Sequence, residues 1–256
     1  MNDRQPSRES IEAAYDPSAY GRAVAADYDV LYRAVPDTDD TVAALSELAG
    51  GGPVLEMGIG TGRLALRLLA RGIPVSGIDG SVEMVAQLRA KPDGDRIPVV
   101  IGDFAEARVE GDFAVVVLAL HTIFGLPTPE RQIQCFENAA RHLRSDGVFV
   151  VEARVLDSAD FRKGHAIEPR FSDAEGIEIQ VERYDGVTQR MDVTNVHLSE
   201  AGVRINSYVN QYTTPREFDL MARIAGLRLR ERWEDWRRAP FTAHSRQHVS
   251  IYERAG

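Results

Sequence analysis

Glu56, Asp79 and Asp103 each close an apolar run: Val54-Leu55-Glu56, Gly77-Ile78-Asp79 and Val99-Val100-Ile101-Gly102-Asp103. Glu56 is followed by Gly58, Gly60 and Gly62 at alternate positions. Glycines let the main chain take positive φ and bring its N–H groups against a ligand with no Cβ between them. An acid ending the second run can accept both hydroxyls of a ribose, and in dinucleotide folds it lies about 20 residues past the glycine turn, as Asp79 does. Asp103 followed by Phe104 suits an adenine pocket, a carboxylate for the exocyclic amine and a ring beside the base. His121, after the apolar run Phe113 to Leu120, has the ordinary imidazole pKa of about 6.5 that suits a general base. Its alternative role is to orient the loop His121-Thr122-Ile123-Phe124 or to touch the cofactor. These residue types could bind a nucleoside-bearing cofactor against main chain, with a proton acceptor beside it.

Two nucleotide-binding fingerprints can be compared with the turn. The dinucleotide fingerprint G-x-G-x-x-G fails when registered on Gly58 and Gly60, because its third glycine falls on Arg63. Registered on Gly60 and Gly62 it falls on Ala65, which the relaxed form allows. A P-loop is absent, since no Gly-Lys-Ser/Thr follows the turn.

Alternating strands and helices must position these residues. The sequence predicts strands at Pro53 to Met57, Pro74 to Ile78, Val99 to Ile101, Phe113 to Leu120 and Val148 to Ala153. Helices are expected at Gly62 to Ala70, at Val82 to Arg89 with Ser81 as its cap, and at Pro129 to Leu143. That rhythm implies right-handed crossovers and a parallel sheet, with ligands outside the carboxyl ends of the strands. Beyond Asp157 it breaks: Ile177 to Val181, Met191 to Leu198 and Val203 to Tyr212 alternate apolar and polar residues, as in an antiparallel meander. A helix from Pro215 to Ala225 and strands Leu227 to Trp233 and His248 to Tyr252 return to the core. Before it, Tyr15, Tyr20, Tyr28 and Tyr32 mark short N-terminal helices, followed by a helix through Val42, Leu45 and Leu48. The expected fold is a Rossmann-like, doubly wound α/β fold: a mostly parallel seven-stranded sheet, an antiparallel insertion after strand five and an N-terminal helical cap. Its parts divide as 1–50 cap, 51–156 cofactor-binding core, 157–214 insertion and 215–256 completion of the core.

Composition narrows the partners. The chain has 256 residues, a net charge of −9 and one cysteine, Cys135. One domain with elaborations is the expectation at this length. The acidic balance argues against a nucleic-acid partner, which requires clustered Lys and Arg. Arg228, Arg230, Arg232, Arg237 and Arg238 form a local basic run, read as a solvated strand face and loop in preference to an anion site. No internal disulfide is possible and no apolar run approaches a membrane span, so the expectation is a cytoplasmic protein with no membrane partner. No His, Asp or Glu cluster has metal-ligand spacing, so no metal is expected.

The residues Val54 to Gly62, Gly77 to Met84 and Gly102-Asp103-Phe104 resemble, in order and spacing, three successive motifs of class I S-adenosylmethionine (SAM) dependent methyltransferases. The resemblance covers about residues 50 to 155 and implies SAM as cofactor. It implies that Glu56, Gly58, Gly60 and Gly62 form the turn at the methionine part, Asp79 and Gly80 hold the ribose, Asp103 and Phe104 the adenine, and Leu120 the loop beside them. More loosely, Tyr28-Asp29, the His121 loop and the insertion resemble small-molecule N-methyltransferases of antibiotic biosynthesis, of the amino-sugar and lincosamide kinds. There the tyrosine-bearing segment closes over SAM and the insertion builds the substrate pocket and oligomer contacts. Tyr28 and His121 are then the candidate catalytic residues, with Tyr28 also on the cofactor, and Tyr20, Tyr32 and Phe124 candidates for the substrate. A small-molecule acceptor and a homo-oligomer are expected. An O-methyltransferase, a non-catalytic SAM- or nucleotide-binding scaffold, and an NAD-dependent oxidoreductase using the Ala65 register remain open alternatives.

Overall fold

The computed structural model describes residues 11, 13–31, 38–157, 159, 161, 164–172, 176–200 and 202–256. Its central sheet has seven strands. These are β1 (Val54–Met57), β2 (Val75–Asp79), β3 (Val99–Ile101), β4 (Phe113–Leu118), β5 (Leu143–Arg154), β10 (Leu227–Trp233) and β11 (Gln247–Arg254). They lie in the order β10-β11-β5-β4-β1-β2-β3. β11 pairs antiparallel with both neighbours, while the pairs among β1 to β5 are parallel. β4 is buried at every position, as its unbroken apolar run requires of a central strand covered on both faces.

Helices cover that sheet: α3 (Thr38–Ala49), α4 (Ala65–Ala70), α5 (Val82–Arg89), α6 (Pro129–His142) and α7 (Pro215–Ile224). Their starts follow local chemistry. The Ser81 hydroxyl accepts the Met84 N–H at 3.2 Å at the head of α5. Thr214 and Glu217 form a reciprocal capping box on α7. α4 begins three residues later than the sequence suggests, because Gly62 to Leu64 are still taken up by the turn. Two apolar layers result, one on each face of the sheet; Cys135 lies in one of them, fully buried.

The insertion is a four-stranded antiparallel sheet of β6 (His165–Ser172), β7 (Ile177–Asp185), β8 (Arg190–Ser199) and β9 (Gly202–Gln211). The sequence suggests three of these strands and misses β6. Pro169 interrupts its pattern, which an edge strand tolerates, and its pairing with β7 shifts register between Pro169 and Phe171. The two faces differ. One carries the cross-strand rows Ile177–Leu198–Val203 and Ile179–Val196–Ile205, the other Glu178–His197–Arg204 and Gln180–Asn195–Asn206.

At the N-terminus, α1 (Ala19–Val24) and the single turn α2 (Tyr28–Leu31) form a cap. Gly21 lets α1 dock tightly on the head of α5: a Cβ there would stand 2.4 Å from the Ser81 Cβ. Tyr32 falls outside the described residues. The basic run is neutralised by acidic partners, among them Arg228 with Glu253, Arg232 with Asp219 and Arg238 with Glu47. No helix among the described residues is long and apolar enough to cross a membrane.

Candidate active site

The carboxyl ends of β1, β2, β4 and β5 open into a cleft of about 2190 Å³, roofed by the cap and walled by the polar face of the insertion. Pockets that hold one drug-sized ligand measure roughly 300–1,000 Å³, so this space accommodates a cofactor together with a second molecule.

Its cofactor side is a hydrogen-bonded unit. Gly58, Gly60 and Gly62 all have positive φ. The Gly60 N–H donates to Asp79 Oδ2 at 2.7 Å, and the Ser81 N–H donates to Asp79 Oδ1 at 2.8 Å. Nothing lies within 4 Å of where a Gly60 Cβ would stand, so this position opens into the cleft. A Gly62 Cβ would instead strike Leu88 at 2.4 Å. Gly62 therefore serves close packing of the turn on α5 and does not line the cleft, unlike Gly58 and Gly60. Glu56 also lies beneath the turn, outside the lining. It is buried, accepts the Ala65 N–H, and burial pushes its carboxyl up to about 8. Its Oε2 has no partner among the described residues.

Asp103 and Phe104 separate in space. Phe104 lines the cleft and Asp103 does not. The Asp103 carboxylate is ion-paired with Arg131 of α6, accepts the Ala105 N–H at 2.8 Å, and accepts from the Tyr15 hydroxyl. The sequence reading gave this carboxylate to the adenine amine; the structure commits it to protein groups, and the aromatic residue beside it faces the ligand space. Gly80 is in the lining, under the segment before α1: a Cβ there would stand 2.4 Å from the Pro17 carbonyl oxygen.

The cap is tied down on both sides of the cleft. The Thr61 hydroxyl donates to Asp29 Oδ1 at 2.6 Å, and Lys91 pairs with Asp29 Oδ2 at 2.6 Å. Asp27 pairs with Arg204 of β9 at 2.5 Å, and Tyr20 meets Tyr208 edge-on at 5.3 Å. Tyr20 and Tyr28 both line the cleft.

At the end of β4 the chain is strained. Leu120 and His121, neither of them glycine, have φ of 49° and 61°, a conformation that persists only where the surroundings over-determine it. Glu152 supplies that restraint. Its Oε2 accepts the Leu120 N–H at 2.9 Å and its main-chain oxygen the His121 N–H at 3.2 Å. The strained turn lies against the glycine turn, since a Gly58 Cβ would stand 2.9 Å from Thr122. Burial pulls the His121 imidazole below its ordinary pKa, against the opposing pull of Glu152. Its Nδ1 is buried with no partner among the described residues. Phe124 is in the cleft lining, though only 1% exposed and packed on Tyr212 and Phe218.

Sequence reasoning overlooked Glu152, Arg154 and Glu182. Arg154 reaches Glu182 through two hydrogen bonds of 2.7 and 3.3 Å on the cleft wall. Glu152 carried a signal, a charge inside the apolar run Val148 to Ala153; Glu182 carried none, because only the fold shows which insertion face meets the cleft.

A family model described as a methyltransferase domain matches residues 54–147. The CcbJ methyltransferase from Streptomyces caelestis is 34% identical, with a TM-score of 0.86 over 94% of this chain and 100% of its own. The chain belongs to the SAM-dependent methyltransferases. A Streptomyces protein named cypemycin N-terminal methyltransferase is 28% identical over 93% of this chain and 99% of its own. A SAM-bound amino pentose methyltransferase of Micromonospora echinaspora shares the fold, with 22% identity and a TM-score of 0.61 over the whole of both chains.

The site of this methyltransferase fits SAM. The open position at Gly60 and the buried carboxylate of Asp79 present main chain and a ribose acceptor to the same space. When bound, SAM supplies a methyl group already activated as a sulfonium, so the chain's task is to align the acceptor and exclude water. The cap, fastened through Asp29 and Asp27, lies over that space.

Proposed function

We propose that this enzyme methylates an amine nitrogen of a small natural-product intermediate, of the kind made in antibiotic biosynthesis, by in-line transfer from SAM. What supports this reading is the buried His121 imidazole on the turn held by Glu152 at the end of β4, both facing the cleft. An amine needs only to lose its proton before attack, and a neutral imidazole accepts it. Asp79, Gly58, Gly60, Gly80 and Phe104 hold the cofactor in this reading. Tyr28, at the cap, shields the transferring group, and Tyr20 borders the acceptor. Likeness to the cypemycin N-terminal methyltransferase supports nitrogen as the target. It also favours a second acceptor, the N-terminal amine of a peptide, which a cleft of about 2190 Å³ has room for. Mapping the methyl group on products from amine, peptide and hydroxyl acceptors tests the assignment.

The apolar face of the insertion supports a homo-oligomer. Ile167 is 70% exposed, and Val203 and Ile205 are each 65% exposed. Exposed apolar residues sharing one sheet face in this way mark an association surface. A second copy covering it would leave the polar face free to wall the cleft, and light scattering of an Ile205→Lys variant against the parent protein tests this.

A further inference from the structure

Glu152 stands on the acceptor side of the cleft. In the sheet order, β1, which leads into the glycine turn, and β2, which ends in Asp79, lie on one side of β4, and β5 lies on the other. Glu152, close to the end of β5, is thus separated from the cofactor strands by the His121 turn. It is 7% exposed and lines the cleft. A carboxylate removed from water this far is costly unless it is paired.

Its contacts within the protein use only half of it. Holding the strained Leu120–His121 turn takes Oε2 and the main-chain oxygen. A neutral amide oxygen also accepts an N–H such as that of Leu120, though less strongly than a carboxylate oxygen does. Among the described residues Oε1 has no hydrogen bond, and Arg154, two residues on, is committed to Glu182. The turn thus occupies one carboxylate oxygen, and among the described residues no cation pairs with the charge.

We infer that Glu152 receives the ammonium group of the acceptor through its unused oxygen, fixing the nitrogen beside His121 and opposite the cofactor. The inference rests on the amine reading given above and adds the residue that selects for it. After the ammonium gives a proton to the His121 imidazole, the nitrogen lone pair forms the new N–C bond. The S–C bond breaks with its electron pair going to sulfur. Positive charge thus leaves sulfur and arrives on nitrogen, where the Glu152 carboxylate stabilises it.

The test needs no knowledge of the acceptor. Sinefungin is a SAM analogue in which a carbon bearing an ammonium group replaces the methylsulfonium centre, so it projects a cation toward the acceptor side. S-adenosylhomocysteine lacks that cation. By calorimetry the parent protein is expected to bind sinefungin about tenfold more tightly than S-adenosylhomocysteine, as a charge-assisted hydrogen bond supplies. Glu152→Gln, which keeps an acceptor for the Leu120 N–H, is expected to erase that difference while changing S-adenosylhomocysteine affinity less than about twofold. A parent protein without the preference overturns the inference with no variant needed. A Glu152→Gln variant that keeps the preference, or loses affinity for both ligands equally, overturns it as well. If the preference depends on Glu152 but the parent protein methylates only hydroxyl acceptors, the amine reading fails on its own, and the assignment of Glu152 to an acceptor ammonium falls with it.

Discussion

Asp79 Oδ2 accepts the Gly60 N–H at 2.7 Å, which joins the end of β2 to the glycine turn after β1. Its other oxygen takes the Ser81 N–H, so the same carboxylate fixes the head of α5. Asp79 thus orders the surface on which the cofactor lies, besides offering the charge a ribose needs.

Replacing it removes both functions. Asp79→Ala is expected to weaken SAM binding at least about tenfold, or about 1.4 kcal/mol. Calorimetric titration with SAM checks this, and unchanged affinity removes Asp79 from the cofactor site.

Asp29 fastens the cap to the turn through Thr61 and Lys91. The pair is partly exposed, and such contacts contribute at most about 1 kcal/mol. Asp29→Asn is expected to weaken SAM about two- to fivefold and to speed amide exchange over residues 19–31, without lowering the melting temperature appreciably. Exchange rates equal to those of the parent protein would show that the cap is held by its apolar contacts alone.

Glu56 gives a pH signature. Its folded-state pKa of about 8 lies above the ordinary value of 4.5, so the folded protein binds the extra proton between these limits. Stability contributed by the protonated form is complete below about pH 4.5 and is lost as pH rises toward 8. The slope is at most about 1.4 kcal/mol per pH unit. Glu56→Gln, neutral at every pH, is expected to melt with the parent protein near pH 4.5 and above it near pH 7.5. Thermal melts across that range check the sign, and parallel curves would show that Glu56 is not held protonated.

How far the sequence reveals this depends on the range of each interaction. The Ser81 cap, the glycine turn and the all-apolar β4 are set by residues within a few positions, and they sit where the pattern puts them. Asp103 looked like a ligand residue because its local motif is intact, but Arg131, which takes its carboxylate, is on a different element. Gly62 looked like its neighbours in the turn until Leu88 was packed against it. Strand β6 hid behind Pro169, which its edge position excuses. The period of two in the insertion was plain, yet nothing local says that its polar face turns toward the cleft.

In the proposed reaction the acceptor atom at the end of β4, beside His121 and Glu152, is nitrogen. The most direct measurement uses SAM carrying a carbon-13 methyl group with paired acceptors that differ only in presenting an amine or a hydroxyl, including a free and an acetylated peptide N-terminus. Nuclear magnetic resonance of the products is expected to place the label on nitrogen, with no transfer to the hydroxyl or acetylated partners. Label found on oxygen would contradict it.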